Sequence, residues 1–250
     1  MSRKQTSSQQ RRSPSSRVSR EERVVKEKFL EQRQDVVINR PLVPMNEKQR
    51  DYMEKIEDYD LILATGYAGS SKTYIPTVMA CDAYRKGEIK KIVFTRPNIS
   101  NSKSLGYFSG NAIEKLSQWL MPVMSILRKR LGDNTLELAS KRGDIEFIPM
   151  EVVKGYSAED CMFICDEAED LTRDEAKKLV TRAGKGCTMV LCGDLTQSEL
   201  SEESGLKMLV DMAWKYPHLD VGLVDFNHIN DIVRGEQVKQ WILAFNKEDE

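Results

Sequence analysis

The stretch Asp60-Leu61-Ile62-Leu63-Ala64-Thr65, continued by Gly66-Tyr67-Ala68-Gly69-Ser70-Ser71-Lys72-Thr73, decides how this chain folds. The apolar run predicts a buried strand, the small residues predict a tight loop, and a helical pattern opens near Thr73. Such a loop lies between a strand end and a helix N-terminus, where free backbone N–H groups and the helix dipole attract anions. Small side chains let the backbone wrap β- and γ-phosphates, Lys72 reaches their oxygens, and the Thr73 hydroxyl can ligate Mg²⁺. The phosphate-loop pattern has Gly before its Lys, and Ser71 takes that place here. A Gly/Ser turn that happens to precede Lys-Thr is the alternative.

Working outward, short apolar runs recur at residues 60–65, 91–95, 145–149, 162–166, 188–193 and 221–225. Helical patterns fill intervals at 73–84, 112–131, 173–183, 205–216 and 237–246, and another precedes the first strand at 45–58, with Asn46 as its cap. Strands alternating with helices predict one α/β domain with a mainly parallel sheet covered on both faces, a three-layer α/β/α architecture.

Two further strand ends carry chemistry. Met162-Phe163-Ile164-Cys165-Asp166-Glu167 delivers two adjacent carboxylates from an apolar strand, an arrangement that is costly without a cation or a proton-transfer task. Beside a phosphate loop, Asp166 would hold Mg²⁺ through its water shell and Glu167 would orient and deprotonate the attacking water. The run Thr188–Gly193-Asp194-Leu195-Thr196-Gln197 ends another strand, and Gln197 can touch the γ-phosphate or the attacking water. Helix capping and a strand-end turn are the structural alternatives for these acids. All three motifs fall at the C-terminal ends of predicted parallel strands, where open α/β sheets bind ligands, and together they define a nucleotide-binding domain.

Composition narrows the remaining classes. The 250 residues carry 38 Lys plus Arg against 39 Asp plus Glu, which excludes a wholly basic nucleic-acid coat. No apolar run approaches the roughly 18 residues of a membrane helix, and no apolar segment follows the start as in a secretory signal. Five cysteines scattered through apolar segments predict buried, reduced thiols, and only His218 and His228 are available for a His-based metal site. Residues 1–20 hold six basic residues, seven serines and no acid, predicting a disordered tail that is either simply solvated or an arm for nucleic acid. Residues 21–40 predict a charged helical lead-in that ends at Pro41, and the domain proper spans 41–250.

With these motifs in place, the sequence resembles the PhoH-like family of P-loop ATPases, related to the superfamily 1 helicase core and RecA-like in fold. The likeness also rests on Phe94-Thr95-Arg96-Pro97, Leu105-Gly106-Tyr107-Phe108-Ser109-Gly110, Glu114-Lys115, Met121-Pro122, Thr181-Arg182 with Gly184, and Asp231-Ile232-Val233-Arg234. Gln49 stands where related helicases place an adenine-reading glutamine, so Gln49, residues 66–73 and Tyr74 form the expected nucleotide site. Ser71 departs from the family glycine, Ser109 from a proline, and Glu169-Asp170 from Gln-Asn. Compact forms of this kind are similar to those carried by bacteriophages.

The resemblance implies Mg²⁺-dependent ATP hydrolysis in the cytoplasm, the host's if the protein is phage-encoded. Catalysis would use Lys72, Glu167 and Gln197, with an arginine completing the phosphate cage. The length leaves no room for a second motor domain, so a neighbouring subunit in a homo-oligomeric ring, a hexamer, is expected to supply that arginine. Arg234 is the first candidate and Arg182 the second; a surface ion pair is the plain alternative for each. RNA or single-stranded DNA is the expected partner, through Arg96, Asn98, Ser102 and Lys103, with Tyr107 or Phe108 either stacking on a base or packing internally. A slow ATP-gated assembly protein is the rival class. A P-loop kinase fits less well, because no acceptor-binding lid is evident.

Overall fold

The computed structural model describes residues 37–97, 112–200 and 202–248. The expected basic tail, the charged lead-in through residue 36, and Asn98, Ser102, Lys103, Tyr107 and Phe108 lie outside them.

Six parallel strands form one sheet: β1 (Leu61–Gly66), β2 (Lys91–Thr95), β3 (Ile145–Phe147), β4 (Cys161–Cys165), β5 (Cys187–Cys192) and β6 (Val221–Phe226). Their order across the sheet is β3-β2-β4-β5-β1-β6. The helices are α1 (Glu47–Asp58), α2 (Tyr74–Lys86), α3 (Ala112–Leu131), α4 (Asp133–Arg142), α5 (Arg173–Val180), α6 (Gly205–Lys215) and α7 (Glu236–Glu248). Each expected strand is present, shifted by at most two residues at an end. Helix α4 is an addition to the expected set: only Leu136 and Ala139 of its ten residues are buried, and its first residue follows Gly132 in a positive-φ conformation.

The two-residue period of the strands sorts their side chains into two cores. Ile62, Ala64, Ile92, Phe94, Ile164, Val190 and Cys192 meet Tyr52 and Ile56 of α1, Ile75 and Cys81 of α2, and Val123 and Leu127 of α3. Leu63, Val93, Phe163, Cys165, Met189 and Leu191 face the other way, onto Leu179 of α5 and Leu206 of α6. Four-residue runs such as Ile62–Thr65 are buried on both faces for this reason, and so read as continuous apolar segments rather than as alternation. All five cysteines are buried and free, and the thiols of Cys161 and Cys187 lie 3.7 Å apart across the β4–β5 pair.

Register decides where the site forms. Strand β1 pairs with β5 through Leu61–Met189 and with β6 through Gly66–Phe226, while β4 pairs with β5 and β2. The ends of β1, β4, β5 and β6 therefore stop along one edge, and β5 separates the loop-bearing strand from the acid-bearing strand. Removing the fully buried Phe163 ring, which meets Tyr156 edge-on at 6.1 Å, tests the second core. Phe163→Ala is expected to destabilise by about 3–5 kcal/mol, read as a lower urea midpoint.

Candidate nucleotide-binding site

The loop after β1 turns because Gly66 adopts φ +108° and has no side chain. A Cβ there would lie 2.3 Å from the Phe226 carbonyl oxygen at the end of β6. That close approach lets the Tyr67 N–H donate to the same oxygen at 2.9 Å. Gly69 also takes positive φ, +81°. Ser71 holds φ +74°, so the residue standing in the glycine place keeps a glycine-like conformation, at about 1 kcal/mol for an L side chain.

Helix α1 and strand β5 brace this loop from beneath. The Tyr52 hydroxyl donates to the Lys72 carbonyl at 2.8 Å, and the Cys192 thiol reaches the same oxygen at 3.2 Å. Gln49 is buried; its Nε2 donates to the Ser70 carbonyl at 3.3 Å and its Oε1 accepts the Met45 N–H at 2.9 Å. Tyr74, at the first turn of α2, is exposed. The sequence does not single out Tyr52, because a buried tyrosine on an amphipathic helix reads as core; its hydroxyl only finds Lys72 in three dimensions.

Lys72 folds back over its own loop, donating to the carbonyls of Gly66 and Tyr67 and reaching Ser70 Oγ at 3.5 Å. Burial pushes its amine down from the ordinary lysine value, while Asp194, Cys192, Glu169 and Glu167 pull it the other way. Thr73 makes no capping bond to its helix. Its hydroxyl instead donates to Asp166 Oδ1 at 2.5 Å, joining the helix start to the end of β4. Burial raises the Asp166 carboxyl, opposed by the Thr73 bond and by Arg96 and reinforced by Glu167.

Among the described residues no group of three or more His, Cys, Asp or Glu could hold a metal by itself. The Thr73–Asp166 pair nevertheless suits Mg²⁺, which takes hard oxygen donors, needs few from protein, and completes its shell with water and phosphate. Next to Asp166, Glu167 sits in the left-handed region at φ +51°, and its Oε1 lies 3.5 Å from Arg96 Nη2. This pairing gives Arg96, expected at nucleic acid, a partner inside the site that strand spacing alone does not reveal.

The third motif curls into a short 3₁₀ turn, Leu195–Gln197. Asp194 accepts from the Thr196 N–H and hydroxyl and, through Oδ2, from Gln197 Nε2 at 2.8 Å; Gln197 itself is exposed.

The two arginines part company. After β6 the chain returns across the loop, with the Val233 N–H donating to the Gly69 carbonyl at 3.0 Å. A Cβ on Gly69 would fall 2.8 Å from Arg234 Cγ and 3.1 Å from its Nε, so the Arg234 side chain lies directly over that glycine. Arg234 thus lies over the phosphate loop of its own chain, while the sequence expectation is an arginine from a neighbouring subunit. Arg182 precedes β5, at the N-terminal end of the strands, with Nη1 on the Lys154 carbonyl at 3.1 Å. It belongs to no part of its own chain's loop.

The family model described as "PhoH-like protein" matches residues 41–246. A PhoH-like protein of Bacillus subtilis is 33% identical over 204 residues, covering 80% of this chain and 63% of that protein. Protein PhoH of Escherichia coli K12 is 34% identical over 162 residues, covering 64% of this chain and 46% of that protein. The chain thus spans less than two thirds of the length of these relatives. Among solved structures, the large terminase of a thermophilic bacteriophage superposes with a TM-score of 0.49 at 10% identity, covering 80% of this chain and 50% of that one. The UvsW helicase of bacteriophage T4 gives 0.44 at 12%, covering 83% and 68%.

The strained Ser71 makes a stability prediction. Ser71→Gly should leave Tm within about 2 °C, because relief of about 1 kcal/mol is offset by the flexibility of glycine in the unfolded chain. Ser71→Val, β-branched at positive φ, should lower Tm by about 4 °C or more. Thermal unfolding of the three proteins checks both values.

Proposed function

The chain belongs to the PhoH-like protein family, and on that premise we propose that it is a Mg²⁺-dependent ATPase coupled to RNA or single-stranded DNA. The observation that carries this reading is the convergence of Lys72, the Thr73–Asp166 pair, Glu167 and Arg234 on one loop at the C-terminal edge of the sheet. A nucleotide's phosphates would lie against the loop N–H groups and α2, and Lys72 would exchange neutral carbonyl partners for charged oxygens. Gln49 would meet adenine from α1, with Tyr67, Ala68 and Tyr74 at the rim.

Thr73 and Asp166 would hold Mg²⁺, which when bound neutralises charge on the β- and γ-phosphates. Glu167 accepts a proton from the attacking water, and Gln197, tethered to Asp194, helps place that water. Arg234 stabilises the charge that develops on the transferred group, from within the same chain. A ring of subunits, hexameric in the simplest form, would need a neighbour only for Arg182, whose position at the N-terminal end of the strands, away from its own loop, suits a head-to-tail contact. One observation favours slow turnover and the rival role of an ATP-gated assembly protein: Arg96 pairs with Glu167, the proposed base.

Steady-state ATPase measured with and without single-stranded RNA or DNA tests the proposal. Single strands should stimulate the rate, Lys72→Ala should abolish it, and Arg234→Ala should lower kcat by about 10²–10³ while ATP still binds. A low rate indifferent to nucleic acid, with ATP changing only the elution volume in gel filtration, would replace the motor reading by the assembly one.

A further inference from the structure

Helix α2 begins with a gap in its hydrogen-bond ladder. The Ile75 N–H donates to the Ser71 carbonyl at 3.0 Å, and the Thr77 N–H donates to the Thr73 carbonyl at 3.3 Å. Between them the ladder would run from residue 76 to Lys72, but that residue is Pro76, which has no N–H to give. The Lys72 carbonyl therefore lacks the helical donor that Ser71 and Thr73 have. It faces side chains that are shut away from water, where an unpaired carbonyl is costly.

Tyr52 fills the gap. Its hydroxyl donates to the Lys72 carbonyl at 2.8 Å, and the Cys192 thiol reaches the same oxygen at 3.2 Å, on the second lone pair. Hydroxyl and sulfur lie 3.5 Å apart, so the three groups close into a triangle. The ring is fully buried and meets Phe226, at the end of β6, edge-on with centroids 5.4 Å apart. Gln49, one helical turn earlier on α1 and so on the same face, donates to the Ser70 carbonyl at 3.3 Å. One face of α1 thus holds two carbonyls of the phosphate loop.

A held carbonyl aims an N–H. In a planar trans peptide the C=O of one residue and the N–H of the next point in opposite directions, and no cis peptide occurs among the described residues. With the Lys72 carbonyl turned to α1 and β5, the Thr73 N–H points away from both. By the same rule Gln49, holding the Ser70 carbonyl, sets the direction of the Ser71 N–H. Free N–H groups at a helix start are what a phosphate meets first.

We propose that Tyr52 is a positioning residue of the phosphate loop: its hydroxyl takes the carbonyl that Pro76 leaves without a helical donor, and so fixes the Lys72–Thr73 peptide for phosphate binding. The inference rests on the reading of residues 66–73 as an ATP site and adds to it a residue that touches no ligand. Two groups depend on this one peptide. It joins the residue whose amine would reach phosphate to the residue whose hydroxyl meets Asp166. The plain alternative is a hydroxyl that stabilises the fold and nothing more.

Pro76 makes the test specific. Tyr52→Phe keeps the ring and its Phe226 contact and removes only the donor, while Pro76→Ala returns an N–H to the ladder opposite Lys72. Wild type, the two single variants and the double variant are compared by calorimetric titration with Mg²⁺ and ADP, by kcat/KM for ATP, and by Tm. Tyr52→Phe should weaken Mg·ADP binding about tenfold and lower kcat/KM by at least as much, the thiol alone being a weak donor. Pro76→Ala alone should bind within about twofold of wild type, and the double variant should recover to within about threefold, because the restored N–H takes over the carbonyl. The Tm lost through Tyr52→Phe should likewise shrink in the Pro76→Ala background. Tyr52→Phe that loses Tm yet binds Mg·ADP as wild type does would overturn the positioning role. A double variant as weak as Tyr52→Phe would overturn the link between the hydroxyl and the missing N–H. Wild type that binds no Mg·ADP would instead remove the ATP-site reading and the positioning role with it, so wild type alone separates the two failures.

Discussion

The Phe226 carbonyl accepts the Tyr67 N–H at 2.9 Å, an approach open only because Gly66 carries no side chain. This contact ties the end of β1 to the end of β6 at the point where the chain leaves the sheet and begins the phosphate loop. The segment after β6 then continues across the loop, so Val233 meets Gly69 and Arg234 lies over it. Without the close β1–β6 register, running from Leu61–Val221 to Gly66–Phe226, the loop would lack its far wall and Arg234 would have no seat. The other wall is built the same way: β5 delivers Cys192 beneath the Lys72 carbonyl, and β4 delivers Asp166 to the Thr73 hydroxyl.

The charges gathered at this edge are close to balanced before any ligand arrives. Asp166, Glu167 and Asp194 face Lys72, Arg96 and Arg234, while Glu169 sits buried beneath them. On the proposed reading, a nucleoside triphosphate adds several negative charges to this set, and a divalent cation at Thr73 and Asp166 is the natural offset.

Much of the fold is legible in the sequence because its signals are local. Buried parallel strands read as apolar runs, and the loop signals Gly66 to Thr73 lie in one contiguous stretch, so both survive without tertiary information. Helix α4 escapes such a reading because its apolar content is too thin to show a period. The site is legible as a set of residue types at strand ends, but not as a set of contacts. That Arg234 lies over its own loop depends on β6 pairing beside β1, a choice of strand order that spacing does not encode. Glu169 is visible only as a departure from the family's glutamine. Its burial depends on Gly193, 24 residues further on, and on the neighbouring strand that carries it.

A crystal structure with Mg²⁺ and a non-hydrolysable ATP analogue tests the central claim most directly. The account predicts that Lys72 Nζ leaves the Gly66 and Tyr67 carbonyls for phosphate oxygens, that the metal lies by Thr73 and Asp166, and that the Arg234 guanidinium of the same chain faces the γ-phosphate. Nucleotide bound elsewhere, with Lys72 still on its own carbonyls, would contradict it.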